Sequence, residues 1–406
     1  MSKGPAVLLP DDPLQSRAAA PPRLMSLDAL RGFDMFMIVG ADAIVGALNK
    51  LVQGSSETPL TSGVKFIATQ LSHVSWEGLR FYDLIFPLFV FMTGMSLVFS
   101  LRRMIEQEGR NKAIQRVILR GVLLYLMGLY YYGLWDRGVA NVRLLGVLQR
   151  IAICYLVTGL LFIFLQTRGL VIACVVLLVG YWAMMTYIPV PGVGAGNFEE
   201  GKNLANYIDQ QYLPLRRYDK THDPEGLLST LPAIGTCLLG VFAGLLMRSP
   251  KYSPIGKVGW LVLMGVLYAL VGHWWGGDLG PLFTKMGISD PLAGHYFPII
   301  KKIWTSSYVL AAAGYSCLMM ALFHLIIEVF GFRIWAWPFV WIGVNPLLIY
   351  MSERWTDWHV LVKPILGGPV ETMLGNYAPL VTTCAATLLI FLFARFLFVR
   401  RIFLRL

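Results

Sequence analysis

Charge is scarce in this chain. Only 14% of its 406 residues are Asp, Glu, Lys or Arg, where a soluble domain carries roughly 25%. A soluble fold of this length needs a charged surface; a lipid-facing surface needs none. Cysteine is sparse too. Cys154, Cys174, Cys237, Cys317 and Cys384 all lie inside apolar runs, their number is odd, and no two form a CxxC pair. Neither a disulfide framework nor a zinc site is indicated. No HExxH or paired-His spacing occurs among the six histidines, so no metal is expected. Walker, Gly-rich nucleotide and GxSxG motifs are absent, and no internal repeat is visible. No cleavable signal peptide is expected either. The first 22 residues are polar and rich in Pro and Ala, so a disordered tail is expected over 1–22 and a single transmembrane domain over 23–406.

What is present is apolar. Hydrophobic residues make up 56% of the chain and the mean hydropathy is +0.62. The 12 Trp and 18 Tyr suit bilayer interfaces, where a ring can be half wet. The 40 Gly suit close helix packing. A span needs about 20 apolar residues. Such runs occur near 32–49, 81–101, 114–134, 144–165, 169–188, 227–247, 257–275, 304–329, 335–352 and 378–399. The fold expected is all-α, a polytopic integral membrane protein with about ten transmembrane helices.

The net charge of +11 would raise nucleic acid as a partner for a soluble protein. Here the basic residues lie between apolar runs and report orientation instead. One set of connections, shared with the N-terminus, holds Arg102, Arg103, Arg110, Lys112, Arg116, Arg120, Arg168, Arg248, Lys251, Arg333 and the Arg395–Arg405 cluster, and basic residues far outnumber acidic ones there. Both termini are therefore expected in the cytoplasm, in a bacterial inner membrane. The long connections 50–80, 189–226, 276–303 and 353–377 fall on the outer side, where ordered loops build sites.

Several polar residues interrupt the apolar runs. Charges inside a bilayer are costly, face the protein interior and mark function. At 100° per residue, Asp28, Arg31 and Asp42 fall within about 60° of one another, over about 21 Å of helix, with Asp34 on the flank. An ion pair of Asp28 with Arg31 is the plain structural alternative. His73 precedes the second span in a polar, aromatic stretch that includes Trp76, Glu77 and Asp83, and Asp83, ten residues on, can orient or acidify a partner. A histidine near neutrality suits a general base, although most lone histidines are structural. Pro87 is expected to bend the second span. Arg150 suits a phosphate or carboxylate, or snorkels. Glu225, in Asp223-Pro224-Glu225-Gly226, fits a helix N-terminus. Asn345-Pro346 breaks the ninth span, where Asn345 can bond freed backbone or a ligand, and Glu353 follows at the outer edge.

Taken in series, these stretches resemble one family. They are Arg23-Leu24-Met25-Ser26-Leu27-Asp28-Ala29-Leu30-Arg31-Gly32, the His73–Gly78 segment running into Asp83-Leu84-Ile85-Phe86-Pro87, Gly146-Val147-Leu148-Gln149-Arg150, Asp223-Pro224-Glu225-Gly226 and Gly343-Val344-Asn345. Their order and content are similar to the heparan-α-glucosaminide N-acetyltransferases, over nearly the whole chain from residue 23. The resemblance implies transfer of acetyl from cytoplasmic acetyl-CoA to the amine of a glucosamine-type sugar across the membrane, without a metal. It places the functional histidine at His73. The lysosomal branch carries Asn where this chain has Asp42; a carboxylate there can orient His73 or accept a proton. That branch also has an additional N-terminal domain and span, whose processing and localisation are not expected here. A homodimer is the assembly the resemblance implies.

The expected site then has His73 and Asp42 as catalytic residues. Asp83, Trp76, Glu225, Asn345 and Glu353 face the sugar, with Asn345 as the oxyanion donor and the acidic residues drawing a cationic substrate. Asp28, Arg31, Arg102, Arg103 and Arg150 hold the coenzyme. Direct transfer and an acetyl-histidine intermediate both stay open. A transporter for an amino sugar or other small solute is the alternative, since intramembrane carboxylates and a broken helix serve it too. O-acylation by another membrane family fits less well, because no His follows Arg31 inside the first span.

Overall fold

The computed structural model describes residues 24–54, 56–134, 138, 141–219, 221–287 and 289–404. The tail expected over 1–22 lies outside them. A backbone in hydrocarbon has no water to bond, so it must bond within its own helix. Accordingly the described residues form no strands, only two isolated bridges. Among these residues nine helices are long and apolar enough to span: Met25–Val52, Phe81–Glu108, Arg110–Tyr131, Val147–Phe164, Thr167–Tyr187, Thr230–Arg248, Pro254–Gly276, Ser306–Val329 and Pro369–Val399. A bent pair, Ile334–Gly343 and Pro346–Trp355, makes a tenth. We number them span one to span ten in chain order, so the bent pair is span nine.

Spans two, four, six and eight are mostly buried, whereas spans one, three, five, seven and ten ring them. The ring shows apolar faces outward, such as Val171, Ile172, Val175, Val176 and Val179 on span five. In a bilayer these faces meet lipid and need no partner. Inside, glycine sets the contact distance. A Cβ on Gly94 of span two would overlap the Cys237 carbonyl of span six, and one on Gly240 would overlap the Phe91 carbonyl in return. Gly32 and Gly343 do the same between spans one and nine. Backbones that touch directly gain dispersion contact where no hydrophobic drive operates.

Three local features differ from the simple helical reading. Span one contains a π-turn over Met37–Ala41, which shifts the phase of every later residue. Asp34, expected on the flank and lying before that turn, is the fully buried carboxyl, while Asp42, after it, is only partly covered. Pro87 does not break span two. It lies in the first turn of Ile85–Glu108, where a missing N–H leaves nothing unpaired. Span nine does break at Asn345-Pro346, by 63°, as the proline requires.

The spans leave two ends. One carries Arg102, Arg103, Arg110 and Arg248 on short connections; we call it the arginine-rich end. The other carries the long connections with the helices Pro59–Gln70, Leu204–Tyr212 and Trp358–Leu366; we call it the loop-rich end. There the segment after Pro59–Gln70 docks on the segment before span eight. Gly78 N–H donates to the Ile299 carbonyl at 2.9 Å, and Glu77 pairs with Ile300 in a bridge.

The glycine contacts generate a test. Gly94→Val must push spans two and six apart, and overpacking costs typically 1–3 kcal/mol. Gly259→Val, where nothing lies within 4 Å, is the control. The expected result is a lower unfolding midpoint in detergent for the first variant and an unchanged one for the second. Equal midpoints would refute the contact.

Candidate active site

Asp83 begins span two, and its carboxylate is the focus of the loop-rich end. Its side chain is 2% exposed. Oδ1 accepts from His73 Nδ1 at 2.8 Å and from Lys301 Nζ at 3.2 Å. Oδ2 accepts the Val74 and Arg80 N–H groups at 3.3 and 3.1 Å. The Tyr308 hydroxyl donates to the Asp83 carbonyl at 2.6 Å and fixes the backbone beneath. A carboxylate accepts through about four lone pairs, so this one is saturated.

His73 is flanked by Asp83 and Lys301 and is otherwise largely open. Its side chain is 54% exposed. With Nδ1–H given to Asp83, the Nε2 lone pair is left to take a proton. The arrangement is that of a general base oriented by a carboxylate. The Tyr82 ring lies 4.8 Å from the imidazole, and its hydroxyl meets the Asp42 carboxylate. This corrects the expectation for Asp42. It reaches His73 through Tyr82, and Asp83 is the residue that orients the imidazole. Asp42 and Glu353 lie close enough for their charges to interact, which brings an exposed carboxylate from span nine to the same side.

Lys301 is a residue that sequence reasoning misses. Its ammonium lies 2.9 Å from His73 Nδ1 and 3.4 Å from Nε2. Lys301 and Lys302 read from sequence as two loop lysines. The Gly78–Ile299 contact that carries Lys301 in joins segments more than 200 residues apart, and no local signal announces it. Burial pulls the Lys301 pKa below the ordinary lysine range, against the opposing pull of Asp83.

A second polar cluster lies nearby and is closed. Arg143 donates through Nε to Asp223 Oδ2 at 2.8 Å and through Nη2 to Asp223 Oδ1 and to Glu225. All three side chains are buried, and the guanidinium lies over the rings of Tyr132 and Tyr218. These carboxylates hold the Arg143 pKa above its ordinary value, while burial pushes that of Glu225 up. Glu225 is therefore neither a helix cap nor a free charge at an open mouth; Ser229 is the residue that precedes span six. Asp209 accepts the Leu227 and Asp223 N–H groups at 2.9 and 3.2 Å. Burial pushes its pKa up to about 6.

Other expected residues are placed as follows. Arg150 is buried, donates to Ser229 Oγ at 2.5 Å and to the Gly226 carbonyl at 3.3 Å, and stacks on Trp304. It ties span four to the start of span six, away from the arginine-rich end where a coenzyme contact was expected. Trp76 donates its indole N–H to the Phe198 carbonyl at 2.9 Å, and Lys302 lies over its ring. Asn345 was expected to hold an oxyanion. Its Nδ2 donates to the Ile402 carbonyl at 2.7 Å, and its Oδ1 accepts the Leu404 N–H at 3.1 Å. The amide is committed to the C-terminal segment because the proline break leaves room for that segment to fold in. Among the described residues, one group has metal-ligand spacing, Glu200, Asp219 and His222. The Lys302 ammonium already serves both carboxylates, at 3.0 and 3.5 Å.

A cavity of about 190 Å³ runs between spans one, two, three, four and nine. Phe86 and Leu97 of span two both line it, so it follows that helix for about 16 Å. Phe86 comes three residues after Asp83, so this lining residue and the carboxylate that holds His73 are about 5 Å apart in helix rise. Deeper in, the wall carries Arg31, Ser96, Arg120 and Tyr155. Arg31 pairs with Asp28 at 3.3 Å and also donates to Ser96, so the ion pair and the cavity share one residue. Arg120 lies over the Tyr155 ring at 4.7 Å, and its buried Nε has no hydrogen-bond partner. In the sequence Arg120 serves only to report orientation. Its depth, about 15 Å into span three, is the signal that it does more. Arg102 and Arg103 do not line the cavity; Arg103 bonds Gln107 at 3.2 Å on the exposed side.

Asp209 supplies a pH test. A carboxyl whose pKa is raised by folding contributes stability that is complete below its unfolded value of about 4 and is lost as the pH rises through about 6. At neutral pH the ionised group costs up to about 3 kcal/mol. The unfolding midpoint is expected to rise when the pH falls from about 7.5 to 5.5, and Asp209→Asn should remove part of that rise. An unchanged pH slope in the variant would contradict the assignment.

The family described as "Heparan-alpha-glucosaminide N-acetyltransferase, catalytic" matches residues 23–268, which hold His73, Asp83, Arg120 and the Arg143 cluster. The chain is 25% identical over 396 residues to the heparan-alpha-glucosaminide N-acetyltransferase of Homo sapiens, covering 83% of this chain and 53% of that protein. It is 25% identical over 341 residues to the Mus musculus protein of the same name, covering 70% and 49%. The chain thus spans about half the length of these curated relatives. With more than half of its residues matched by the catalytic family, the chain belongs to the heparan-α-glucosaminide N-acetyltransferase family.

Proposed function

We propose that this protein moves an acetyl group from acetyl-CoA at the arginine-rich end to the amine of a glucosamine-type sugar at the loop-rich end, as one transmembrane acyltransferase domain over 23–406. The observation that carries this reading is the Asp83–His73 pair, which opens the same helix whose next turns, from Phe86 to Leu97, line the cavity. The arginine-rich end faces the cytoplasm by the positive-inside rule, which gives access to cytoplasmic acetyl-CoA from an inner membrane. The cavity's narrow volume and mixed lining suit the pantetheine arm. Arg31 and the unpartnered Nε of Arg120 offer donors to its amides and phosphates. Arg102 and Arg103 lie further out on the same end, where only the nucleotide can reach them.

At the other end, His73 accepts a proton from the amine as nitrogen attacks the thioester carbon. Asp83 holds the ring and stabilises the imidazolium that forms. Asp42 and Glu353 draw the cationic sugar toward His73, and Trp76 offers a ring edge for the sugar to pack on. The names of the two mammalian relatives support a glucosamine-type acceptor.

The test is acetyl transfer from labelled acetyl-CoA to glucosamine by the detergent-purified protein. His73→Ala is expected to lose at least about 100-fold in rate while still binding acetyl-CoA. Loss of binding with the chemistry intact would remove His73 from its role. Uptake of glucosamine into proteoliposomes with no acetylated product would favour a transporter. A second variant probes the cavity. Arg120→Ala should raise the KM for acetyl-CoA by about 10-fold or more, with Leu119→Ala, on the exposed face of the same span, as the control of small effect. Equal KM values for the two variants would dismiss Arg120 as a coenzyme contact.

A further inference from the structure

The acetyl-transfer reading leaves one charge without an assignment. As the amine attacks, the thioester oxygen becomes an oxyanion, and an enzyme that lowers this barrier must present donors to it. Asn345, the sequence candidate, has both amide atoms bonded to the C-terminal segment. The cation nearest the base is Lys301. Its ammonium lies 2.9 and 3.4 Å from the two ring nitrogens of His73, so an atom within reach of one is within reach of the other.

The pairing with Asp83 does not account for this placement. That carboxylate already accepts from His73 and from two backbone N–H groups. Lys301 adds a fourth donor at the longer distance of 3.2 Å. Its neighbour makes the contrast. Lys302 stands over two carboxylates, Glu200 and Asp219, and is a surface ion pair. Lys301 is only 21% exposed and shares its single carboxylate. An ammonium carries three N–H donors, and Asp83 takes one. A partly desolvated cation beside a proton acceptor is what an oxyanion contact requires, because it is worth far more there than in water.

We propose that Lys301 is a catalytic residue that donates a hydrogen bond to the thioester oxygen as acetyl transfer proceeds; this rests on the acetyltransferase reading above. The neutral amine forms a bond from nitrogen to the carbonyl carbon. The C=O π pair moves onto oxygen, where Lys301 holds it, and one N–H proton passes to His73. Collapse of the oxyanion restores C=O and breaks the C–S bond. The sulfur leaves with that electron pair and takes the proton back from His73. The products are the acetamide and the free thiol, with all atoms and charge accounted for.

The experiment compares full-length wild type, Lys301→Met and Lys301→Arg in detergent, with acetyl-CoA and with its dithioester analogue, in which C=S replaces C=O. Sulfur is a weak acceptor, so the wild type should favour the oxygen donor through this contact. Lys301→Met is expected to lower kcat by about 10²–10³-fold, with the KM for acetyl-CoA little changed. The ratio of thioester to dithioester rates should fall by a similar factor. Lys301→Arg keeps a cation and should recover at least about tenfold of the loss. If Lys301→Met lowers kcat with that ratio unchanged, Lys301 only positions His73, and the proposal is wrong. Full activity in the Met variant would overturn it as well. Should Lys301→Met not fold, Lys301→Gln is read by the same ratio: a fall supports the contact, and an unchanged ratio overturns it. A wild type that acetylates no amino sugar sinks the acetyltransferase reading and this one together, whereas an active wild type with an indifferent Lys301 sinks only this one.

Discussion

The constraint behind every feature is that a backbone in hydrocarbon must satisfy its own hydrogen bonds. It confines irregular chain to the two ends of the bundle, and to breaks that are shielded by protein. Polar chemistry can then be built only at an end or around a break. The protein uses both. The loops of one end bring His73, Asp83 and Lys301 together, and the break of span nine contributes Gly343, Pro346 and Tyr350 to the cavity wall. A cavity bounded by a kinked span and a polar cluster at the end of a straight one thereby share span two.

Asp83 is where those two parts meet. It belongs to span two by sequence and to the loops by bonding. Its position at the first turn exposes its carboxylate to unpaired N–H groups, which is the ordinary chemistry of a helix start. The same carboxylate then has capacity for His73 and Lys301. Tyr308 of span eight holds its carbonyl from behind, so the site is anchored to a mostly buried span. Rigid spans set the coordinates of the cluster, and the loops only deliver side chains to it.

The closed cluster of Arg143, Asp223 and Glu225 shows the opposite use of charge. A buried ion pair breaks even only with good geometry and further hydrogen bonds. Here a guanidinium meets two carboxylates between two aromatic rings, and Asp209 accepts the N–H of Asp223. The segment before span six is thus pinned to the segment before span four. Sequence spacing could suggest that Glu225 was free, because its partner lies 82 residues away. In the same way Asn345 reads as available in the sequence, whereas the C-terminal segment engages both its Nδ2 and its Oδ1.

From the sequence alone came the bilayer setting, the ten apolar segments, the break at Asn345-Pro346 and the candidate base at His73. Each depends on local composition or on a motif, and each is a property of one segment. Tertiary structure decided the partnerships. Asp83 rather than Asp42 holds His73, because the approach to span two folds back on its own first turn. Arg120 rather than Arg102 or Arg103 enters the cavity, because burial depends on which neighbours surround a helix face. Lys301 reaches His73 across 228 residues. Helical periodicity reports only which way a side chain points on its own helix. What it meets there is set by the packing of other helices and the closure of long loops, and no local pattern records that.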